Sequence, residues 1–114
     1  MEIVNKTPHN INIISAGGMI VVPADSNMAR VQMTANKTGI IKTQYGDIDQ
    51  IQVKFGRETV GLPEPKAGVI YIVSMITCQA NRSRDDLYIV SDTVRDNDGG
   101  IIGARGLSLN PFYK

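Results

Sequence analysis

The chain has 114 residues, one cysteine, no tryptophan, 5% aromatic residues and a formal net charge of +1. That balance excludes the broad basic field of a general DNA or RNA binder. The lone Cys78 excludes an internal disulfide, and no apolar run approaches the roughly 18 residues of a membrane-spanning helix.

A single domain over 1–114 is expected, with a core built from Ile, Val, Leu and Met. An oligomer would relieve the shortage of buried surface. The N-terminus, Met1-Glu2-Ile3-Val4-Asn5, reads as a strand rather than a signal peptide, so a cytoplasmic protein is expected.

In chain order, Glu2–Asn5 alternates as a strand, and Thr7-Pro8-His9 makes a corner because proline fixes its own φ and biases the residue before it. Asn10–Ile14 and Met19–Val22 read as a hairpin around Ser15-Ala16-Gly17-Gly18. Pro23–Asn27 is loop chemistry, and Arg30–Thr34 resumes an extended pattern. Asn36-Lys37-Thr38-Gly39 reads as a turn. Ile40–Tyr45 and Ile48–Phe55 then alternate with period two, with Gly46-Asp47 as the turn between them.

Gly61–Gly68 carries Pro63 and Pro65 and is a rigid internal joint. Val69–Val73 is the most apolar strand and is expected at the sheet centre. Ser74 is placed to cap a short helix over Met75–Asn81. Asp85–Val90 leads into a loop and strand. Val94–Asp96 and Ile101–Leu107 flank Asn97-Asp98-Gly99-Gly100, whose residues favour the positive φ of hairpin turns. The expected fold class is α+β, with mainly antiparallel β-sheets and one or two short helices.

Catalytic chemistry is sparse. His9 sits in a turn, and Cys78 falls on the helix, where a buried thiol is ordinary packing. Asp85 and Asp86 are sequence neighbours that point to opposite faces of a strand, so they make no acid/base dyad. Asp96–Gly100 resembles the start of a calcium loop, but the twelfth position is Leu107, which has no carboxylate to give. The segment Gly100–Gly106 is glycine-rich without a phosphate-loop pattern. No catalytic residue, metal site or cofactor is assigned.

The arginines are unevenly placed. Arg82, Arg84, Arg95 and Arg105 share residues 67–113 with no lysine. Guanidinium groups suit phosphate pairs and stack on ring faces. Neighbouring Asp85, Asp86, Asp92 and Asp96 offer the other reading, that each arginine closes a surface ion pair of small value.

A set of motifs adds to this. Asn5-x-Thr7-Pro8-His9-x-Ile11-x-Ile13, Ala29-Arg30-Val31, Gly61-Leu62-Pro63-x-Pro65-x-x-Gly68 and Tyr71-Ile72-Val73-Ser74 come first. Arg84-Asp85-Asp86-Leu87, Val94-Arg95-Asp96 and Ile101-Ile102-Gly103-x-Arg105-Gly106-Leu107 follow. In order and spacing, over about residues 2–107, they resemble a family of small phage and bacterial proteins. Within it, the chain is similar to the first described class of phage Thoeris anti-defence sponge proteins.

That resemblance implies a non-enzymatic host-cytoplasmic protein that sequesters a cyclic ADP-ribose isomer made by a TIR-domain enzyme. It further implies binding of related cyclic nucleotides by some members and homo-oligomers from dimer to hexamer. Arginines would hold the phosphates, and an aromatic plus an amide the base. The arginine role falls on Arg30, Arg57, Arg84, Arg95 or Arg105, with Asn81 and Asp92 as polar candidates for ribose or base. The expected aromatic after the helix is replaced by Asn81-Arg82. Two alternatives stay open: a structural module that oligomerises without a small ligand, and a small nucleotide-acting enzyme using His9, Asp85 or Asp86.

Overall fold

The computed structural model describes residues 1–114; the side chain of Arg57, one of the candidate ligand residues, lies outside that description. The elements run β1 (Glu2–Asn5), β2 (Ile11–Ser15), β3 (Gly18–Val22), β4 (Arg30–Thr43), β5 (Gly46–Val60), β6 (Val69–Ile72), α1 (Met75–Ala80), β7 (Leu87–Arg95) and β8 (Ile101–Leu109). The class is α+β, mostly strand. Six strands form one sheet in the order β1-β6-β7-β8-β2-β3, and β4 and β5 form a separate two-stranded ribbon.

Antiparallel pairs carry most of the rungs, in β2–β3, β4–β5 and β7–β8. The pairs β1–β6, β6–β7 and β2–β8 are parallel. β6 therefore lies between β1 and β7, second from one edge rather than central. Its apolar run still marks the core, because both of its faces are covered. Val69, Tyr71 and Val73 pack with Cys78 and Leu87 on one side, and Ile72 is fully buried on the other.

α1 forms as its sequence requires. Ser74 holds an extended backbone, and its hydroxyl accepts from the Thr77 amide, which satisfies one of the free donors of the first turn. Asn81 closes the other end by donating its backbone N–H to the Cys78 carbonyl.

β8 approaches β2 closely at Gly103. A Cβ there would lie 2.9 Å from the Asn12 carbonyl oxygen and 3.1 Å from the Ile14 side chain, so a larger residue would push the two strands apart.

The large sheet curls until its two edge strands meet at one end. Asn5 of β1 bridges to Ala24 just beyond β3, and the Asp25 amide donates to the Asn5 carbonyl at 2.8 Å. The Asn5 side chain is buried and fully used. Its Nδ2 donates to the carbonyls of His9 (2.7 Å) and Val22 (3.1 Å). Its Oδ1 accepts from the Thr7 amide (3.0 Å) and the Thr7 hydroxyl (2.6 Å). Next to it, Lys6 is buried and pairs with Asp25.

The turn expected at Asn36–Gly39 is absent. β4 runs through it for 14 residues and pairs with the 15 residues of β5. An irregularity between Lys37 and Gly39 takes up Thr38 as an extra residue, so turn-favouring chemistry becomes a bulge inside a long strand. The reversal sits at Gln44-Tyr45, with Gly46 at φ 129° opening β5.

The ribbon projects from the body. The radius of gyration is 17.4 Å, against about 13 Å for a compact chain of this length.

Asn5→Ala is expected to lower unfolding stability by roughly 3 kcal/mol, because the buried Val22 carbonyl, the His9 carbonyl and the Thr7 groups each lose a partner together. Asn5→Asp keeps one acceptor but sets a buried carboxylate oxygen against the His9 and Val22 carbonyls, so its cost near neutral pH should be at least as large. Urea midpoints at unchanged slope check both values.

Candidate functional site

Two cavities adjoin at the carboxyl ends of the parallel strands β1 and β6, and both include Thr7 and Ser74 in their walls. The first, about 540 Å³, is walled mainly by Ile11, Ile72, Ile89, Ile101 and Ala104, with His9, Asn10 and Asn12 among its polar members. The second, about 810 Å³, lies at the base of the ribbon. Its chemistry comes from Arg30, Gln32, Thr34 and Phe55, with Lys6, Met33 and Ile76 also in the wall. Both volumes fall in the range of small-molecule sites.

Local structure places Arg30. The loop before it is held to β1 by the Asp25 and Ala29 amides, which donate to the carbonyls of Asn5 and Lys6. Gly61, at φ +84°, lets the end of β5 pass this loop. A Cβ there would sit 2.4 Å from the Met28 carbonyl oxygen. Arg30 opens β4 opposite Val60, and an irregularity in the pairing between Val31 and Met33 re-aims the next residues. Lys6 contributes little free charge, since its ammonium is taken by Asp25. That hydrogen bond holds the Asp25 carboxyl below the usual carboxylate range.

The carboxyl-terminal arginines do not converge within the protomer. Arg84 forks onto Asp86 at 2.7 and 2.8 Å and donates to the Pro63 carbonyl, so it ties the proline joint to the start of β7. Arg95 donates to the Gly99 carbonyl at 2.7 Å and braces the hairpin turn, whose amides at Asp98 and Gly100 bond the Asp96 carboxylate. Arg105 pairs across the hairpin with Asp92 at 3.6 Å, both side chains well exposed. Asp92 holds a positive φ of 57°. Arg82 lies 5.3 Å from the centre of the Phe112 ring. The ion-pair reading of these arginines thus describes Arg84, whose own loop supplies Asp86, and Arg105, whose strand register supplies Asp92.

Asn81 serves the scaffold. Its Nδ2 donates to the Thr59 hydroxyl (2.9 Å) and the Thr77 carbonyl (2.8 Å), which ties α1 to β5. Its carbonyl accepts from the buried Asn110.

Arg30, like Arg82 and Arg95, forms no ion pair with another described residue, but among the described candidates it is the one that lines either cavity.

Sequence reasoning missed Phe55, Gln32 and Thr34. The available signal was Gly56 directly after Phe55 inside a strand pattern, which marks a bulge or a close approach. Gly56 indeed packs on Gln32.

Cys78 is buried in the core, and burial pushes its pKa up to about 11. His9 is exposed beside the smaller cavity. Among the described residues, no three His, Cys, Asp or Glu side chains group as a metal site.

Two outcomes follow. Cys78 should resist iodoacetamide at about pH 8 in the folded chain and react in urea, as read by intact mass. Asp25, depressed in the folded state, contributes stability above its unfolded pKa and loses it as pH falls through the folded value. The stability gap between wild type and Asp25→Asn should therefore be widest near neutrality and close below about pH 4; urea melts across pH check it.

Comparison with family models, curated proteins and solved structures finds no match to this chain.

Proposed function

We propose that the chain is a non-catalytic binding protein that holds a small phosphorylated nucleotide in the Arg30 cleft. The ligand that the motif resemblance implies is a cyclic ADP-ribose isomer, sequestered intact in the host cytoplasm. The observation that carries this reading is Arg30. It has no ion-pair partner among the described residues, and it lines a cleft together with Phe55, Gln32 and Thr34.

Each group has a part. A guanidinium meets phosphate oxygens two at a time. A ring face takes a base by stacking, and an amide side chain reads a base edge or a ribose hydroxyl. The adjoining apolar cavity gives a second compartment that an extended or cyclic ligand would reach past Thr7 and Ser74. Sequestration needs tight holding and abundance but no turnover.

The Asp92–Arg105 pair plays a smaller part in this reading, since a phosphate there must compete with a carboxylate already in place. A second reading, a module that oligomerises without a small ligand, is favoured by the exposed apolar side chains of the ribbon, Met33, Ile40, Ile51, Val53 and Phe55.

The test is retention. The chain is incubated with the cyclic ADP-ribose isomer, stripped of free ligand, and heat-denatured. Intact ligand should be released in near-stoichiometric amount. Arg30→Ala should weaken retention about tenfold to a hundredfold, the worth of one charge-assisted contact to phosphate. Arg105→Ala should change it by less than about threefold. Recovery of a hydrolysed product would point to an enzyme. Absence of retention, or equal loss in both variants, would remove the Arg30 cleft as the site.

A further inference from the structure

The smaller cavity differs in chemistry from the Arg30 cleft. Among the described residues, its wall carries no carboxylate, ammonium or guanidinium, and no Phe or Tyr ring. Isoleucine dominates it, with Ile11, Ile72, Ile89, Ile101 and Ile102 all present. The floor is buried: Ile72 is 0% exposed and Ala104 2%. The rim is open, since Met75, Ile101 and Ile102 are 45% to 60% exposed.

The cavity exists because α1 is short. Strand register puts Thr93 and Ala104 on one face of the large sheet, and alternation adds Leu87, Ile89 and Ile102 to it. Ile13 pairs with Ala104, so Ile11 joins the same face. α1 seats at one end of that face, where Cys78 packs with Val73 and Leu87. Its six residues reach about 9 Å, whereas six strands span about 24 Å. The part of the face over β8 and β2 is left open, and this is the cavity.

We propose that this cavity binds a small aliphatic molecule with an uncharged polar head, of the class of medium-chain alcohols and amides. A phosphate or carboxylate would lose its water there with no cation to meet it. A flat ring finds no Phe or Tyr face to stack on. An aliphatic chain needs only apolar wall, and each buried methylene adds to its affinity.

Two amides in the wall suit the head. Asn10 accepts the Ala24 amide on its Oδ1 (2.9 Å), which leaves its Nδ2 as a donor. Asn12 donates its Nδ2 to the Ile102 carbonyl (3.3 Å), which leaves its Oδ1 as an acceptor. A hydroxyl or amide both gives and accepts a hydrogen bond, so it matches this pair where an anion does not. Thr93 adds a further hydroxyl to the same wall. The inference does not rest on the nucleotide reading, whose cation, Arg30, belongs to the other cavity.

Calorimetric titration of the full chain with straight-chain hexanol, heptanol and octanol tests this. Binding should saturate, with Kd falling about threefold to fourfold for each added methylene. Octanoate at about pH 8 should bind at least about tenfold more weakly than octanol. Ala104→Phe, which fills the floor, should raise the octanol Kd at least about tenfold. Far-UV circular dichroism checks folding, and if that variant unfolds, Thr93→Phe at the exposed rim carries the same comparison. No saturable binding, or an affinity flat along the series, overturns the inference. So does octanoate binding as tightly as octanol, or a filled variant that folds and binds like wild type. Pelleting with phosphatidylcholine vesicles without saturable octanol binding would assign the aliphatic contact to a bilayer and also overturn it. Octanol binding without retention of the cyclic nucleotide would uphold this inference and sink the nucleotide reading alone.

Discussion

One buried amide sets where the chain can close. Asn5 uses both donors and both acceptor positions of its side chain to join the end of β1, the Thr7–His9 corner and the end of β3. A buried group of this kind is costly unless every valence is met, and when met it specifies one geometry. The loop that follows β3 is then held against β1 by backbone bonds to Asn5 and Lys6, and Arg30 comes next in the chain. The position of the candidate binding cation therefore descends from a polar clasp and not from the apolar core. That division suits a chain whose buried apolar set is small, with Ile72, Leu87, Tyr71 and Cys78 at its heart.

Charge and apolar surface are distributed in an uncommon way. The body spends most of its arginines on its own architecture: Arg84 on Asp86 and the proline joint, Arg95 on a turn, Arg82 on Phe112. The ribbon places isoleucine, valine, methionine and phenylalanine on one open face. A monomer gains nothing from such a face, since its ring and aliphatic surfaces remain in water. The cleft at its base lies where the two distributions meet, with Arg30 from one end of β4 and Phe55 from β5 in its wall.

Much of the fold was legible. The Ser74 cap, the six-residue helix, the hairpin around Asp96–Gly100 and the alternation of Ile48–Phe55 all follow from short-range rules, and each was found near its expected place. The turn expected at Asn36–Gly39 was not found, because its residues match turn chemistry and only the facing strand reveals a bulge. The arginine grouping misled for a similar reason. Nearness in sequence placed Arg84 and Arg105 equally well in a pocket or on a carboxylate, and the register of β7 against β8 put Asp92 beside Arg105.

The sequence alone determined what is local: one cap, the turn residues, strand periodicity, and too few large apolar side chains for a generous core. These depend on neighbours within a few residues, where steric and hydrogen-bond preferences act directly. Tertiary structure decided which candidate arginine lines a cavity, which face of the ribbon is bare, and that Phe55 of β5 shares a cleft with the first residue of β4. Those outcomes depend on pairing register and sheet closure across tens of residues. There a shift of one position turns every side chain to the other face.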